Sequence, residues 1–432
     1  YTKQRHGQGT AVAHFPCTFP MMFITQRSAQ LLWFSLSVNG VFALTSMSDN
    51  KPSSVSESWS PRPLPDAKLV IGYSHDPAAE KVRRSIKSGV NVVCWSFLHF
   101  IRDPGSSQPM VRTDLDLSEI HKLRYQSGLE KIVHVAAVGG WNAPHPPSGI
   151  KAESWANAFW ELNVQNGYIF DGIDWDLEGH DDRLGPTSKF TLETLDIMAD
   201  VSVLLKEKYG MLVSMAPAES YFDALAEDSS FSTDLNLFPR PWDRAEADRD
   251  IVIEAGFQHA GQQCYAYVFH RAGGERTFDW VGLQLYEAYS RFMHETSRLI
   301  DPDIDESASQ VEGVLRRTVA LFDGFSVNLP KYGETRISIS PNRLVFGFAN
   351  GWADNKKFVR VRPEALRDVL MRLKIAGFMF WTIEEEGRDG VYMADLISNA
   401  IMQSEEQDEH ENDEEDSKFV KDEYQDETRE EL

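Results

Sequence analysis

The strongest constraint on the fold of this chain is an alternation of apolar runs with amphipathic segments. Eight runs of mainly apolar residues recur along the central part of the sequence. They cover residues 68–74, 91–100, 131–140, 168–179, 211–220, 278–287, 343–350 and 377–385. Near-continuous apolar strands of this kind are typical of parallel sheets covered by helices. Eight of them in a segment of this length predict an α/β fold, a (β/α)8 TIM barrel, over residues 67–403.

Two of the connecting segments carry clear helix signals. Residues 189–209 have apolar side chains at three- and four-residue spacing, which predicts an amphipathic helix. Residues 363–377 begin with Pro363 and end with Gly377, the usual asymmetry of helix ends. The connection between the last two apolar runs, residues 351–376, is mostly this one helix, so we expect no inserted domain there.

The beginning of the chain differs in character from its central part. Residues 21–46 combine a basic residue, a short apolar stretch and small residues, which is the pattern of a secretory signal peptide; the alternative is a buried apolar helix. Residues 1–20 are then upstream or artefactual sequence, and the Ser/Pro-rich residues 47–66 are a linker. The apolar stretch is too short and too polar for a transmembrane helix, so we expect no membrane partner after signal cleavage.

The end of the chain is strongly acidic. The net charge is −23, and residues 404–432 contribute −12 of it through 15 acidic and 3 basic residues. We expect this tail to be disordered, and the charge argues against nucleic acid as a partner. The last four residues, Arg429 to Leu432, resemble the KDEL and HDEL retrieval signals. The expected location is therefore the endoplasmic reticulum lumen or the secreted state, with a retrieval receptor and weakly bound calcium as partners of the tail.

The cysteines show no metal-site pattern. Cys17, Cys94 and Cys264 have neither CxxC spacing nor a neighbouring His pair, so we expect no metal site. The sequence leaves open whether Cys94 and Cys264 form a disulfide.

The fourth apolar run contains the stretch FDGIDWDLEGHDD, in which acidic and apolar residues alternate. Asp174, Asp176 and Glu178 share one strand face, because side chains two residues apart point the same way. Inside a barrel, neighbouring carboxylates cannot all ionise freely and at least one keeps its proton. A solvated strand face is the alternative, and the apolar residues around the run argue against it. Glu178 lies nearest the carboxyl end of the strand, the catalytic end of such barrels, which predicts that it donates a proton.

The stretch DGIDWDLE resembles the DxxDxDxE motif of the family 18 glycoside hydrolases, the chitinases and their relatives. Other motifs of that family agree in order along the chain. They are VAAVGGW (135–141) for SxGG, MAP (215–217) for the hevamine-type branch, QLYE (284–287) for QxYN/D, and GFMFW, which ends at Trp381, for the last-strand tryptophan. The resemblance covers residues 68 to about 400 and implies a barrel without the family's insertion domain. Two residues depart from the pattern: Ala137 stands for the Ser that supports the buried acids, and Glu287 for Asn or Asp.

The resemblance implies hydrolysis with retention, assisted by the 2-acetamido group of the substrate. Glu178 protonates the glycosidic oxygen and later activates water. Asp176 orients the acetamide nitrogen, Asp174 shares a proton with Asp176, and Tyr286 donates to the acetamide oxygen. Because the acetamide oxygen is the nucleophile, this chemistry needs no metal, no cofactor and no nucleophile from the protein.

The resemblance also suggests which residues contact the sugar. Trp381 should form the floor beneath the sugar at the cleavage site. The other expected substrate-binding residues are Tyr73, Gln284, Met215, Gly139, Gly140 and Trp141. For each of them the alternative is packing inside the barrel. Asp171, on the opposite strand face, is expected to be structural, and His180, Asp181 and Asp182 to cap the next turn.

Three functions are compatible with the resemblance. The first is endo-acting hydrolysis of β-1,4 bonds next to N-acetylglucosamine in chitin or chitooligosaccharides. The second is an endo-β-N-acetylglucosaminidase that cleaves N-glycan cores. The third is a non-catalytic glycan-binding lectin, and the presence of Glu178 argues against it, because family lectins commonly lose this acid. In all three cases the partner is a GlcNAc-containing glycan.

Overall fold

The structure is a computed structural model of the 432-residue chain. It describes residues 59–76, 80–179, 189–227, 229–235, 261–286, 290–296, 303–353 and 360–404. The expected upstream segment, the signal peptide, most of the linker and all but the first residue of the acidic tail lie outside these ranges. So do His180, Asp181, Asp182 and Glu287.

The described ranges contain both strands and helices in regular alternation. The strands are β1 Leu69–Ser74, β2 Val92–Arg102, β3 Pro109–Thr113, β4 Val133–Gly140, β5 Gly172–Leu177, β6 Leu212–Met215, β7 Trp280–Gln284, β8 Phe325–Leu329, β9 Gly333–Ile337, β10 Leu344–Ala349 and β11 Gly377–Trp381. The helices are α1 Glu80–Lys87, α2 Leu117–Arg124, α3 Ala152–Gln165, α4 Leu192–Tyr209, α5 Cys264–Arg271, α6 Arg291–Thr296, α7 Glu306–Asp323, α8 Pro363–Arg372 and α9 at residues 393–404.

Eight parallel strands close into a barrel. Their order is β1, β2, β4, β5, β6, β7, β10 and β11, and the circle closes because β1 pairs with both β2 and β11. Each barrel strand begins within one of the eight apolar runs, and β2 alone extends beyond its run, to Arg102, so the prediction of a (β/α)8 barrel is confirmed. The remaining strands are additions: β3 pairs antiparallel with β2, and β8 and β9 form a separate hairpin.

Side chains of the barrel strands alternate between two hydrophobic clusters. The inner cluster fills the barrel and includes Ile71, Cys94, Val135 and Met379. The outer cluster packs between the strands and the helices and includes Trp175. The period of two residues that defines a strand therefore decides whether each side chain lies inside or outside the barrel.

The two predicted helices form, but one ends earlier than expected. In α4, the Thr191 side chain accepts from the Thr194 N–H, and Gly210 ends the helix in the left-handed conformation. Helix α8 begins at Pro363 but ends at Arg372, so the prediction that Gly377 closes it is wrong. Gly377 instead begins β11, where a Cβ atom would lie 2.0 Å from the Leu69 carbonyl oxygen.

Residues 59–66 pack against the barrel, although the sequence predicted a linker over 47–66. The Trp59 ring stacks on Tyr168 with ring centroids 5.4 Å apart. The Arg62 guanidinium donates to the carbonyl oxygens of Leu129 (3.2 Å) and Ile132 (2.6 Å). An aromatic and a cationic side chain with several partners thus hold this segment, a feature that Ser/Pro-rich composition alone did not reveal.

Asp171 anchors the amino-terminal end of β5. Its carboxylate accepts hydrogen bonds from both terminal nitrogens of Arg124, at 2.5 and 2.7 Å. It also accepts hydrogen bonds from the backbone N–H groups of Arg62 and His134, at 2.7 and 2.8 Å. Both Asp171 and Arg124 are buried. A buried charge needs such a complete set of partners, so Asp171 has the structural role that its strand face indicated.

Cys94 and Cys264 are not joined in a disulfide. Cys94 lies on β2 inside the barrel, and Cys264 begins α5. Burial raises the pKa of both thiols, so both carry their protons at neutral pH.

The connection between β10 and β11 is short and helical. Of its described residues, 350–353 and 360–376, the regular part is α8, and no insertion domain is found among them. No helix within the described ranges has the length and apolar character needed to span a bilayer.

Candidate active site

Strand β5 carries Asp174 and Asp176, Glu178 follows directly after its end, and the strands on either side are β4 and β6. Asp174 is in register with Ala137 on β4 and with Ser214 on β6. Asp174 and Asp176 are 0% and 3% exposed, and Glu178, just beyond the strand end, is 7% exposed. Because residues two apart in a strand lie about 6–7 Å from each other, the acids form a column that rises toward the carboxyl end of the barrel.

The two glycines at the end of β4 allow this column to be closely packed. A Cβ atom at Gly139, where φ is 128°, would lie 2.3 Å from the Asp176 carbonyl oxygen. A Cβ atom at Gly140, where φ is 88°, would lie 2.5 Å from the Phe97 ring. Only glycine tolerates both the positive φ and the close approach. The structure therefore gives both residues a steric function next to the acids.

Asp174 is held by two hydroxyl groups. The Tyr73 hydroxyl donates to Oδ2 at 2.8 Å, and the Ser214 hydroxyl donates to Oδ1 at 2.6 Å. Burial raises the pKa of Asp174 to about 6, although both hydrogen bonds act in the opposite direction. Burial also raises the pKa of Tyr73 well above its usual value, so its phenol remains a donor. Asp174 can therefore exchange a proton near neutral pH.

Asp176 is oriented by Gln284 at the end of β7. The Gln284 side-chain amide donates to Asp176 Oδ1 at 2.7 Å and to the Ala216 carbonyl oxygen at 2.8 Å. Sequence analysis assigned Gln284 to substrate binding; the structure shows it as a direct hydrogen-bond partner of the middle acid.

The backbone that carries Glu178 is fixed by three donors. The Tyr265 hydroxyl donates to the Leu177 carbonyl oxygen (2.9 Å), His145 Nε2 to the Glu178 carbonyl oxygen (3.0 Å), and the Asn142 N–H to the Gly179 carbonyl oxygen (3.0 Å). Burial, and then the charges of Asp176 and Glu178, raise the pKa of Tyr265 well above its usual value. We call these three contacts the carbonyl clamp. They hold the main chain of residues 177–179 at the carboxyl end of the acid column.

A small cavity opens beside Asp176. Five of its lining residues were proposed for the site by sequence analysis, namely Tyr73, Asp176, Gln284, Tyr286 and Trp381. The other lining residues are Met379 and Phe380. The other expected site residues lie outside this lining: Asp174, Glu178, Gly139, Gly140, Trp141 and Met215. The Trp141 ring lies against Gly179, beside the backbone of Glu178.

Trp381 forms an aromatic floor together with neighbours from other strands. Its ring stacks on Phe97 with centroids 5.4 Å apart and planes 16° apart, and it lies 6.0 Å from Tyr73. The Trp352 indole N–H donates to the Trp381 carbonyl oxygen at 2.7 Å, and its ring meets Tyr286 edge-on at 6.0 Å. The half-buried Trp381 thus presents a fixed ring to the cavity.

The assignment of Met215 to substrate binding is wrong. Met215 is in register with Trp175, and both belong to the outer cluster between barrel and helices. Ser214, one residue earlier, points inward and bonds to Asp174. The sequence motif led to the correct strand, but not to the residue that faces the acids.

Five contributors escaped the sequence analysis: Ser214, Tyr265, His145, Phe97 and Trp352. Ser214 had a usable signal, since a polar residue inside the fifth apolar run is unusual. Phe97 lies on β2, Tyr265 on α5, and His145 and Trp352 in loops, and no local pattern marks any of the four.

Comparisons with known proteins give matches in structure. Neither the models of known protein families nor the curated proteins match the sequence. The ChiA C-terminal domain of Legionella pneumophila matches the structure with a TM-score of 0.50 at 16% identity, over 77% of this chain and 98% of that one. This chain has the fold of that domain. The resemblance first carried by the motifs thus extends to the fold.

Two further solved structures are similar to this chain. One is a family 18 chitinase from Pseudoalteromonas aurantia, with a TM-score of 0.45, 14% identity and coverage of 78% of this chain and 99% of that one. The other is a fungal endo-beta-N-acetylglucosaminidase from glycosyl hydrolase family 18, with a TM-score of 0.48, 13% identity and coverage of 78% and 98%.

Proposed function

We propose that this chain is a retaining glycoside hydrolase that cleaves β-1,4 bonds next to N-acetylglucosamine with assistance from the substrate. One observation carries the proposal: the buried column of Asp174 and Asp176 leads to Glu178, and its middle acid, Asp176, lines a cavity together with Tyr286 and Trp381. Buried carboxylates in a cleft are costly for stability and concentrate at catalytic sites. The aromatic floor supplies the surface on which a pyranose ring can rest.

In the proposed reaction, Glu178 gives its proton to the glycosidic oxygen. The carbonyl oxygen of the substrate's acetamide group attacks the anomeric carbon, and the bond to the leaving sugar breaks. Asp176 accepts from the acetamide N–H and stabilises the positive charge of the resulting oxazolinium ion, while Tyr286 donates to the acetamide oxygen. Glu178 then takes a proton from water, which opens the ring of the intermediate with overall retention.

Asp174 takes part in this scheme by sharing a proton with Asp176. Two hydroxyl donors and complete burial keep its pKa at about 6, so Asp174 and Asp176 can share one proton near neutral pH. When positive charge develops on the substrate, the proton is better placed on Asp174, because Asp176 then carries the negative charge next to the intermediate. The column therefore responds to the charge of the transition state.

Chitin and chitooligosaccharides are the proposed substrates. N-glycan cores are a second candidate, because they contain the same GlcNAc–GlcNAc bond. The short connection between β10 and β11 supports both, since it leaves no room for an insertion domain and an open groove suits internal cleavage of long or branched glycans.

The substrate is tested by incubating the purified chain with chitooligosaccharides and with a high-mannose glycopeptide, followed by mass analysis of the products. Shortened chitooligosaccharides support the first candidate, and loss of the glycan from the peptide supports the second. Binding of either ligand without any product would overturn the hydrolase proposal and identify a lectin. Glu178→Gln in parallel reactions reports any contaminating activity.

We expect the first product to retain the β configuration at the anomeric carbon, and a thiazoline that mimics the oxazoline intermediate to inhibit the reaction. Both results follow from attack by the acetamide oxygen. Proton NMR of the first minutes of hydrolysis distinguishes the anomers. An initial α product would exclude this mechanism.

The two buried aspartates should differ in importance. We expect Asp176→Asn to lower kcat by about 10²–10³-fold, because Asp176 stabilises the charged intermediate directly. Asp174→Asn should cost at least several-fold less, since Asp174 acts only through its neighbour. Steady-state kinetics on one chitooligosaccharide compare the variants, and equal losses would contradict the proposed order.

A further inference from the structure

The interior neighbours of Asp174 are unequal on its two sides. On the β4 side the residue in register is Ala137, which offers no polar atom from its side chain. On the β6 side the residue in register is Ser214. The inner cluster around them is apolar and includes Val135, Leu212 and Ala216. Ser214 is therefore a polar residue in a place where packing alone would favour an aliphatic side chain.

The geometry gives Ser214 a specific partner. Its hydroxyl is fully buried and lies 2.6 Å from Asp174 Oδ1, whereas the Ile173 carbonyl oxygen is 3.5 Å away. Tyr73 serves the other carboxylate oxygen at 2.8 Å. Each oxygen of Asp174 thus has one hydroxyl donor, and the two donors come from opposite sides of the barrel. Together they fix the plane of the carboxylate.

We propose that Ser214 is a positioning residue that orients Asp174 and keeps it able to ionise, supplying from β6 the hydroxyl that Ala137 on β4 lacks. The proposal rests on the proposed function only for its effect on catalysis. The placement and ionisation of Asp174 are properties of the folded chain and can be measured without substrate.

The direction of the effect follows from electrostatics. A hydrogen bond donated to a carboxylate stabilises its ionised form, and burial destabilises that form. Without the Ser214 hydroxyl, only the Tyr73 hydrogen bond would counteract the effect of burial on Asp174. The pKa of Asp174 should therefore rise above its present value of about 6. Since a hydrogen bond to a charged group corresponds to about one to two pH units, the change should be measurable.

The test is a pH titration of the whole chain labelled with ¹³C at the aspartate side-chain carboxyl groups. The signal of Asp174 is the one that disappears in Asp174→Asn. We expect Ser214→Ala to raise its pKa by about one to two units. The double variant Ser214→Ala/Ala137→Ser should return it toward the original value, because a hydroxyl is restored on the opposite side.

Two more variants make the result decisive. Ser202→Ala removes another fully buried serine hydroxyl, one that accepts from the Trp175 indole N–H on the outer face of β5, and should leave the pKa of Asp174 unchanged. Ala137→Ser alone adds a third donor and should lower that pKa, which tests the idea even if Ser214→Ala does not fold. An unchanged pKa in both Ser214→Ala and Ala137→Ser would overturn the proposal.

Activity provides the link to catalysis. If the chain hydrolyses chitooligosaccharides, the step of its pH–rate profile that belongs to Asp174 should move upward in Ser214→Ala by the same amount as the NMR titration, and return in the double variant. A shifted titration in a chain that hydrolyses none of the glycans would contradict the proposed function and leave the role of Ser214 intact. A shifted titration with an unmoved pH–rate profile of an active enzyme would contradict the catalytic part of the proposal.

Discussion

Replacing Glu178 by Gln should lower kcat on chitooligosaccharides by about 10²–10⁴-fold, the usual contribution of a positioned proton donor. Gln has nearly the same shape but cannot give a proton to the leaving oxygen. Because the cavity and its aromatic floor remain, oligosaccharide affinity should change little. Kinetics measure the first effect and calorimetric titration the second.

A matched control is available on the surface. Glu161→Gln changes the same residue type on the exposed side of α3 and should leave both quantities unaltered. Nearly normal turnover by Glu178→Gln would contradict its assignment as proton donor. A large loss of affinity would instead indicate that Glu178 mainly binds the sugar.

Asp171→Asn should lower the free energy of unfolding by about 3–5 kcal/mol, because it leaves the buried Arg124 guanidinium without its countercharge. Asn keeps the shape of Asp but is neutral and has only one acceptor oxygen. It therefore cannot accept all four hydrogen bonds from the Arg124 guanidinium and the two backbone N–H groups. Urea denaturation followed by fluorescence measures the change. Activity per folded molecule should be retained, since Asp171 lies at the opposite end of β5 from Glu178.

The ion pair of Lys189 and Asp234 provides the comparison. Its two charges are 2.9 Å apart, but the side chains are 62% and 32% exposed, so Asp234→Asn should cost only about 0–1 kcal/mol. If both variants lose the same stability, burial is not the reason for the importance of Asp171. A structural role for Asp171 would also be contradicted if its variant were stable and inactive.

The sequence predicted the barrel well because of how parallel strands are buried. Strands covered by helices outside and by side chains inside are apolar on both faces, so each appears as an unbroken run. In β5 the acids also revealed the inner face, since only Asp174 and Asp176 interrupt the apolar pattern inside the strand. The fold and the acid column could therefore be predicted together.

The same property made β6 ambiguous. In MLVSMA both faces are largely apolar, so the alternation does not reveal which residues point inward. That choice depends on the pairing of β6 with β5, where Asp174 meets Ser214 and Trp175 meets Met215. A shift of one residue exchanges the two faces, so the alternation could not correct the choice of Met215, which came from the motif resemblance.

Partners that reach the site from distant segments could not be predicted. Tyr265 lies 88 residues after Leu177 along the chain. Its hydroxyl donates to the Leu177 carbonyl oxygen, and no sequence pattern marks that backbone atom as a partner. His145 lies in a loop rich in Pro and Gly, where spacing gives no information about direction. Such contacts depend on how the loops fold over the barrel, and thus on the tertiary structure.

The carbonyl clamp has a consequence for how new substrate preferences could be introduced into this scaffold. Its donors Asn142 and His145 come from the loop after β4, and Tyr265 comes from the segment after β6, both at the end of the barrel where glycans would be recognised. Grafting a foreign loop at either place would therefore release part of the main chain that carries the proton donor. A library that diversifies residues 146–150 while keeping Asn142, His145 and Tyr265 should yield many more active members than one that exchanges the whole loop.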